Sequence, residues 1–416
     1  MVIEEIQDRD EILLPGERID FQESTDSARA EISDSDVNEK YIKGEIRIVT
    51  EQARYPIIAV SKIVTDKSYR ISPEYQRRHR WSIQRKSRLI ESLIMNVPIP
   101  PIFLYEYDYS KYEVMDGLQR LTAIHDFYSD AFALEGLSEW SELNGKTYNT
   151  LPEKVREGID RRYLSSVILL KETARDEGEA LRLKQLVFER INSGGVKLEG
   201  QETRNAIFDG PLNQLCIRLS RNPSLCRLWD IPEASEDESE GGKPSQDRVE
   251  NKLFREMTDV ELVLRFFAYR QKHRLQKSGE SLEKYFDRFL REGNQLHDNT
   301  LEEIANLFEE TINFAEELLG SKAFFLYRKR TRAGEETWAW RESPTTTVYD
   351  PVLFTLSLLL NRKEDLLDHR KDIQSQLSNF FMENYSTFEG RNVNPAALLE
   401  RERKFYEYFS GFLAET

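Results

Sequence analysis

Along the first half of the chain, short apolar runs alternate with stretches of helical spacing, and beyond about residue 210 the helical spacing continues nearly throughout. Tyr55 to Val60 reads as a short β-like stretch leading into Ile71 to Arg77, where Pro73 bars a helix. Within Ser82 to Met95, the residues Leu89, Ile90, Leu93 and Ile94 fall on one face of an amphipathic helix. Pro98, Pro100 and Pro101 must end that helix. Ile102 to Tyr107 and Lys111 to Met115 predict two strands joined by a polar turn. Asp116-Gly117 then opens a second helix, with Leu121, Ile124 and Tyr128 on its inner face. Leu164 to Leu170 predicts a buried strand. Asp176 to Ile191 predicts a helix that Asn192-Ser-Gly-Gly195 stops.

In the second half, Asp259 to Tyr269, Leu282 to Leu290, Leu301 to Leu319, Val352 to Leu360, Ile373 to Met382 and Ala396 to Phe412 carry helical spacing. Between Pro232 and Asp247 the acidic, glycine- and proline-containing composition predicts a disordered loop. Residues 1–45, polar and acidic with little periodicity, predict a mobile arm. The expected organisation is thus an α+β domain over 46–210 and an all-helical domain over 211–416.

Composition narrows the class. With 32% charged and 39% hydrophobic residues in 416, the chain suits a soluble, helix-rich globular protein. Its two cysteines, Cys216 and Cys226, build neither a disulfide framework nor a four-ligand zinc site. The acidic N-terminus lacks the order of a signal peptide, and the apolar runs are too short to span a bilayer, so a cytoplasmic location is expected. A formal charge of −15 argues against coating DNA by general phosphate neutralisation, though a local basic groove is compatible with it.

The segment Val114 to Ile124 carries the most chemistry. A helix that starts directly after a strand presents unpaired N–H groups and the positive end of its dipole, which stabilise an anion. Gly117 leaves room for a phosphate, Arg120 offers a bidentate fork, and Asp116 can hold a magnesium-bound water or fix an arginine. The same residues also suit a plain helix cap with an exposed arginine. Asn192, after a helix and before two glycines, reads as a C-cap, with a magnesium ligand and Arg190 or Arg204 paired to phosphate as the alternative. The cluster of Arg77, Arg78, His79, Arg80, Arg85, Lys86 and Arg88 around Trp81 reads either as a DNA-backbone patch or as a solvated helix face. A second basic run, Tyr327 to Arg332, lies near Trp338 and Trp340, which suit core packing or base stacking.

The order of these segments resembles the domain-of-unknown-function 262 family, GmrSD-type proteins of bacterial DNA defence. Asp116-Gly-Leu-Gln-Arg120 is similar to the family's Asp-Gly-Gln-Gln-Arg motif and, through it, to the phosphate-binding box of ParB proteins. Tyr75 to Trp81 looks like the family's entry segment, Leu89 to Leu104 like its helix, proline turn and strand, and Phe188 to Asn205 like its third motif. Leu118 stands where the family has its first glutamine, a loss that bears on turnover more than on binding.

The resemblance implies a ParB/sulfiredoxin-like fold that binds and slowly hydrolyses a nucleoside triphosphate, GTP favoured, with Mg²⁺. It further implies coupling to recognition of foreign or modified DNA in anti-phage defence or restriction. Gln76, Arg77, Gly117, Gln119, Arg120, Arg190, Asn192 and Arg204 would bind nucleotide. Asp116 and Asn192 would organise metal and water, Asp116 and Arg120 would be catalytic, and Arg78, Arg80, Arg85 and Lys86 would contact DNA. The five histidines (His79, His125, His273, His297 and His369) stand alone, without the arrangement of an HNH nuclease. A separate nuclease or effector is therefore an expected partner, and nucleotide-gated homodimerisation would suit the resemblance to ParB proteins. Two other classes stay open: a non-catalytic DNA-binding or regulatory module with nucleotide as ligand, and a ParB-like nuclease.

Overall fold

The computed structural model describes residues 12–21, 33–43, 48–71, 78, 81–173, 177–192, 200–239, 244–277, 279–332, 335–389 and 395–413. The chain divides into two compact units, one of residues 24–207 and one that joins residues 1–23 to 208–416.

The first unit is α+β. After a helix over Asp34–Lys43, within the stretch expected to be an arm, its main elements are β1 (Thr50–Pro56), α1 (Ile57–Ile63), β2 (Tyr69–Arg70), α2 (Ile83–Met95), β3 (Ile102–Asp108), β4 (Lys111–Asp116), α3 (Leu118–Tyr128), α4 (Glu153–Asp160), β5 (Tyr163–Leu169), α5 (Glu177–Asn192) and α6 (Gly200–Ile207). The strands form one mixed sheet in the order β1-β5-β3-β4-β2. β1 runs antiparallel to β5, β5 parallel to β3, β3 antiparallel to β4, and β4 parallel to β2.

Helix α2 starts where Ser82 accepts a hydrogen bond from the Arg85 amide. It stops at Asn96 in the left-handed region (φ 59°), just before the prolines. Ile90 and Leu93 of α2, Ile102 and Leu104 of β3, and Leu121, Ile124 and Phe127 of α3 are buried together. Each such side chain contributes about 1.5–3 kcal/mol by leaving water. One expectation fails here. Tyr55 to Val60 is not a strand throughout: β1 ends at Pro56, and Ile57, Val60 and Ile63 are buried at helical spacing in α1. β-branched residues in so short a run carry no period that separates the two forms.

The second unit contains α7 (Pro211–Leu219), α8 (Pro223–Leu228), α9 (Thr258–Leu275), α10 (Leu282–Gly293), α11 (Asp298–Leu319), β6 (Tyr327–Arg332), β7 (Glu335–Trp340), α12 (Thr346–Leu358), α13 (Arg370–Glu383) and α14 (Pro395–Ser410), with shorter helices between them. It is not all-helical, because β6 and β7 pair as an antiparallel hairpin. Cys216 and Cys226 are buried free thiols, and burial pushes both above the ordinary thiol range. No described helix is long and apolar enough to cross a membrane.

Two stretches expected to be mobile or disordered hold built structure. Glu17 is 2% exposed and accepts from Arg270 of α9 at 2.7 and 2.9 Å, while Gln271 donates to the Glu17 carbonyl. Residues 12–21 are thus part of the helical unit rather than of an arm. Within 232–247, Ser235 caps the Glu238 amide, and the buried Glu238 carboxylate meets the fully buried Arg248 guanidinium at 3.1 Å. Acidity by itself predicts disorder. In the fold, a distant or later arginine neutralises the acid.

Candidate functional site

The site is assembled at the junction of β4 and α3. Phe103 of β3 faces Asp116 while Leu104 faces Val114, so Met115 is the extra residue of a bulge. A bulge bends its strand and re-aims the residues after it. Gly117 takes φ +100°, and α3 starts at Leu118 with the Leu121 amide bonded to the Gly117 carbonyl. No side chain among the described residues caps this helix start.

Arg120 reaches back from the first turn of α3. Its Nη2 donates to Asp116 Oδ2 at 2.7 Å and to the Pro101 carbonyl at 3.2 Å, tying helix, strand end and proline turn together. Its Nε is buried and has no partner among the described residues. The Asp116 side chain is about a third exposed, and its Oδ1 accepts no hydrogen bond among the described residues. Gln119 Oε1 accepts from the Trp81 amide at 3.2 Å, which anchors the end of the entry segment on α3. Leu118, in the position of the family's glutamine, points into the core.

A buried ion pair holds α5 against the sheet: Lys184 Nζ donates to both Glu113 carboxylate oxygens, at 2.7 and 2.8 Å. Sequence reasoning passed over both residues, since neither lies in a motif. Arg190 is exposed near the end of α5, and Asn192 is its last residue. Arg204 of α6 is only 1% exposed and donates to Gln201 Oε1 at 3.1 Å. No hydrogen bond or ion pair among the described residues joins Arg190 or Arg204 to Asp116 or Arg120. Gln76, Arg77 and Arg80 lie outside the described residues, as does the side chain of Asn192.

The described residues of the expected DNA patch have different surroundings. Arg78 is buried, Lys86 is paired with Asp126 at 2.6 Å, and Arg85 lies over the Trp81 ring at 4.7 Å. Of the described residues of the cluster, Arg85 and Arg88 lie at exposed positions. His125 meets the Ser61 carbonyl at 2.7 Å, a packing role. On the far end of α3, Asp160 accepts from Tyr128 at 2.7 Å and from Tyr148 at 3.0 Å. Burial, and then the bonded carboxylate, raise both phenols above their ordinary range, that of Tyr148 to about 12. Both therefore remain donors at neutral pH and brace α3 from behind. Among the described residues no cluster of three or more histidine, cysteine or acidic side chains could hold a metal ion.

Residues 60–208 match the model of the GmrSD restriction endonuclease, N-terminal domain. The match takes in the whole junction and runs from within α1 past α6. It points to a restriction or anti-phage defence context. Comparison with curated proteins and with solved structures gives no match.

Proposed function

We propose that the β4–α3 junction binds the phosphates of a nucleoside triphosphate, GTP favoured, and that binding is coupled to detection of foreign or modified DNA. The observation that carries this reading is the guanidinium of Arg120 beside the N-terminus of α3, which no described side chain caps, with a partly exposed carboxylate next to it. Backbone N–H groups and an arginine fork are the two parts that phosphate recognition needs. The likeness of residues 60–208 to a restriction-endonuclease domain supports the defence context.

Asp116 fits a magnesium ion of the ordinary kind. Its Oδ1, which accepts no hydrogen bond among the described residues, is a hard oxygen donor, and magnesium takes one or two carboxylates while keeping most of its waters. The ion would neutralise charge on the phosphates. The protein's own part is positioning: Gly117 sets the helix start, Gln119 holds the Trp81 backbone, and Arg120 exchanges some of its hold on Asp116 for a phosphate oxygen. Asn192 and Arg190 belong to the last turn of α5, the helix that the Lys184–Glu113 pair fixes against β4. A second reading, nucleotide as ligand without turnover, is favoured by Leu118. Its side chain is buried, so no amide stands there to orient water.

Calorimetric titration with each nucleoside triphosphate and Mg²⁺ tests the proposal on the full chain and on Arg120→Ala. Micromolar binding of one nucleotide is expected, and a loss of about 100-fold or more in the variant, roughly 3 kcal/mol for a charge-assisted fork. Arg120→Lys keeps the charge and the fold but not the fork, and should recover only part of the affinity. No binding of any nucleotide, or unchanged affinity in a folded Arg120→Ala protein, would sink the pocket.

A further inference from the structure

We infer that the β6–β7 hairpin of the helical unit is a contact surface for the sugar–phosphate backbone of duplex DNA. In the antiparallel register Tyr327 faces Trp340, Lys329 faces Trp338 and Thr331 faces Glu336, while Arg328 faces Ala339, Arg330 faces Thr337 and Arg332 faces Glu335. Successive residues of a strand lie on opposite faces. The hairpin therefore has an aromatic face and an arginine face.

The aromatic face is spoken for. Trp338 stacks on Tyr327 at 5.9 Å and meets the Tyr385 ring edge-on at 5.2 Å, and Trp340 meets Phe381 of α13 edge-on at 5.9 Å. Lys329 on that face is ion-paired with Glu336. The tryptophans thus anchor the hairpin to the body of the unit and are not base-stacking platforms.

The other face carries Arg328, Arg330 and Arg332 at every second position, about 7 Å apart along the strand. Opposite two of them stand Ala339 and the exposed Thr337, too short to cover a guanidinium. Arg328 is exposed and makes no ion pair among the described residues. Arg330 is steadied by the Trp340 carbonyl at 3.1 Å and by Glu342, an exposed carboxylate, at 3.2 Å. By backbone register Arg332 takes the same face, opposite Glu335. In a chain of net charge −15, such a row has a polyanion as its complement. A two-stranded ribbon fits the width of the major groove, and regularly spaced guanidiniums suit phosphates along its edge. The choice of DNA as the polyanion rests on the proposed defence function, whereas the arginine row does not.

Fluorescence anisotropy of a labelled duplex, titrated with the full chain across a salt series, tests the inference. Wild type should bind with a steep salt dependence. Arg328→Gln with Arg332→Gln should weaken binding about 10-fold or more at low salt and lower the log–log salt slope by about 2, near 0.9 per lost phosphate contact. Thr337→Glu keeps every arginine but sets a carboxylate among them, and should weaken binding too. Lys329→Gln, on the aromatic face, should leave affinity within about 2-fold. An unchanged salt slope in the double variant, or no duplex binding by wild type, overturns the inference. So does polyglutamate competing as well as duplex, which would make the face a site for an acidic protein. Nucleotide titration of the same variants keeps the two proposals apart, since loss of nucleotide binding leaves the hairpin result standing and the reverse also holds.

Discussion

Gly117 has a reason to be glycine before any ligand is considered. At φ +100° a side chain is strained, and a Cβ there would come within 2.4 Å of Ile102 Cγ2 and 3.0 Å of Arg120 Nη2. Gly117→Ala is expected to cost about 2–4 kcal/mol, from backbone strain plus overpacking. A urea midpoint within error of wild type would show that the junction has room to relax. Sequence pattern singles out Gly117, Asp116 and Arg120, and leaves Asp116 either a magnesium-bound water to hold or an arginine to fix. The structure spends part of Arg120 on Asp116 itself. Their spacing of four residues was the available signal, since an acid four positions before an arginine at a helix start favours contact.

At the scale of elements, the placing of α5 on β4 decides whether the third motif stands near the junction. Lys184 and Glu113, both largely buried, do this placing. Removing one partner leaves a desolvated charge, so Lys184→Met should destabilise the first unit by about 3 kcal/mol, while Lys184→Met with Glu113→Leu should recover most of it. Denaturation of the two single variants and the double variant gives the coupling; additive losses would mean that α5 is held by its apolar face alone. The hairpin was missed for a related reason. Tyr327 to Arg332 has no apolar alternation, because one face is arginine and the aromatic anchors come mostly from the partner strand.

At the scale of the molecule, the N-terminal segment completes the helical unit instead of preceding it. Arg270 is 2% exposed and bonds Glu17, the Ile12 carbonyl and Ser357. Arg288 lies over the Phe21 ring at 3.7 Å. Glu17→Gln preserves shape but leaves a buried guanidinium without its counter-charge, and should cost about 3–5 kcal/mol. Deletion of residues 1–21 should cost at least as much, measured as a shift of the thermal transition of this unit. A truncated chain as stable as the full one would mean that the segment rests on the unit without supporting it.

The sequence alone determined what contiguous residues can settle. Periodicity placed α2, α3, α5 and most of the later helices, prolines fixed where α2 ends, and the Asp116-Gly117 pair marked the strand-to-helix junction. These follow from local backbone geometry and nearest-neighbour spacing. Tertiary structure alone decided the fate of the charges. Arg204 is buried on Gln201, Lys86 is neutralised by Asp126, and Glu17 is locked to a residue some 250 positions away. Whether an ionised side chain meets solvent, phosphate or a buried partner depends on what the fold brings to it. Chain-local pattern holds no record of such distant partners.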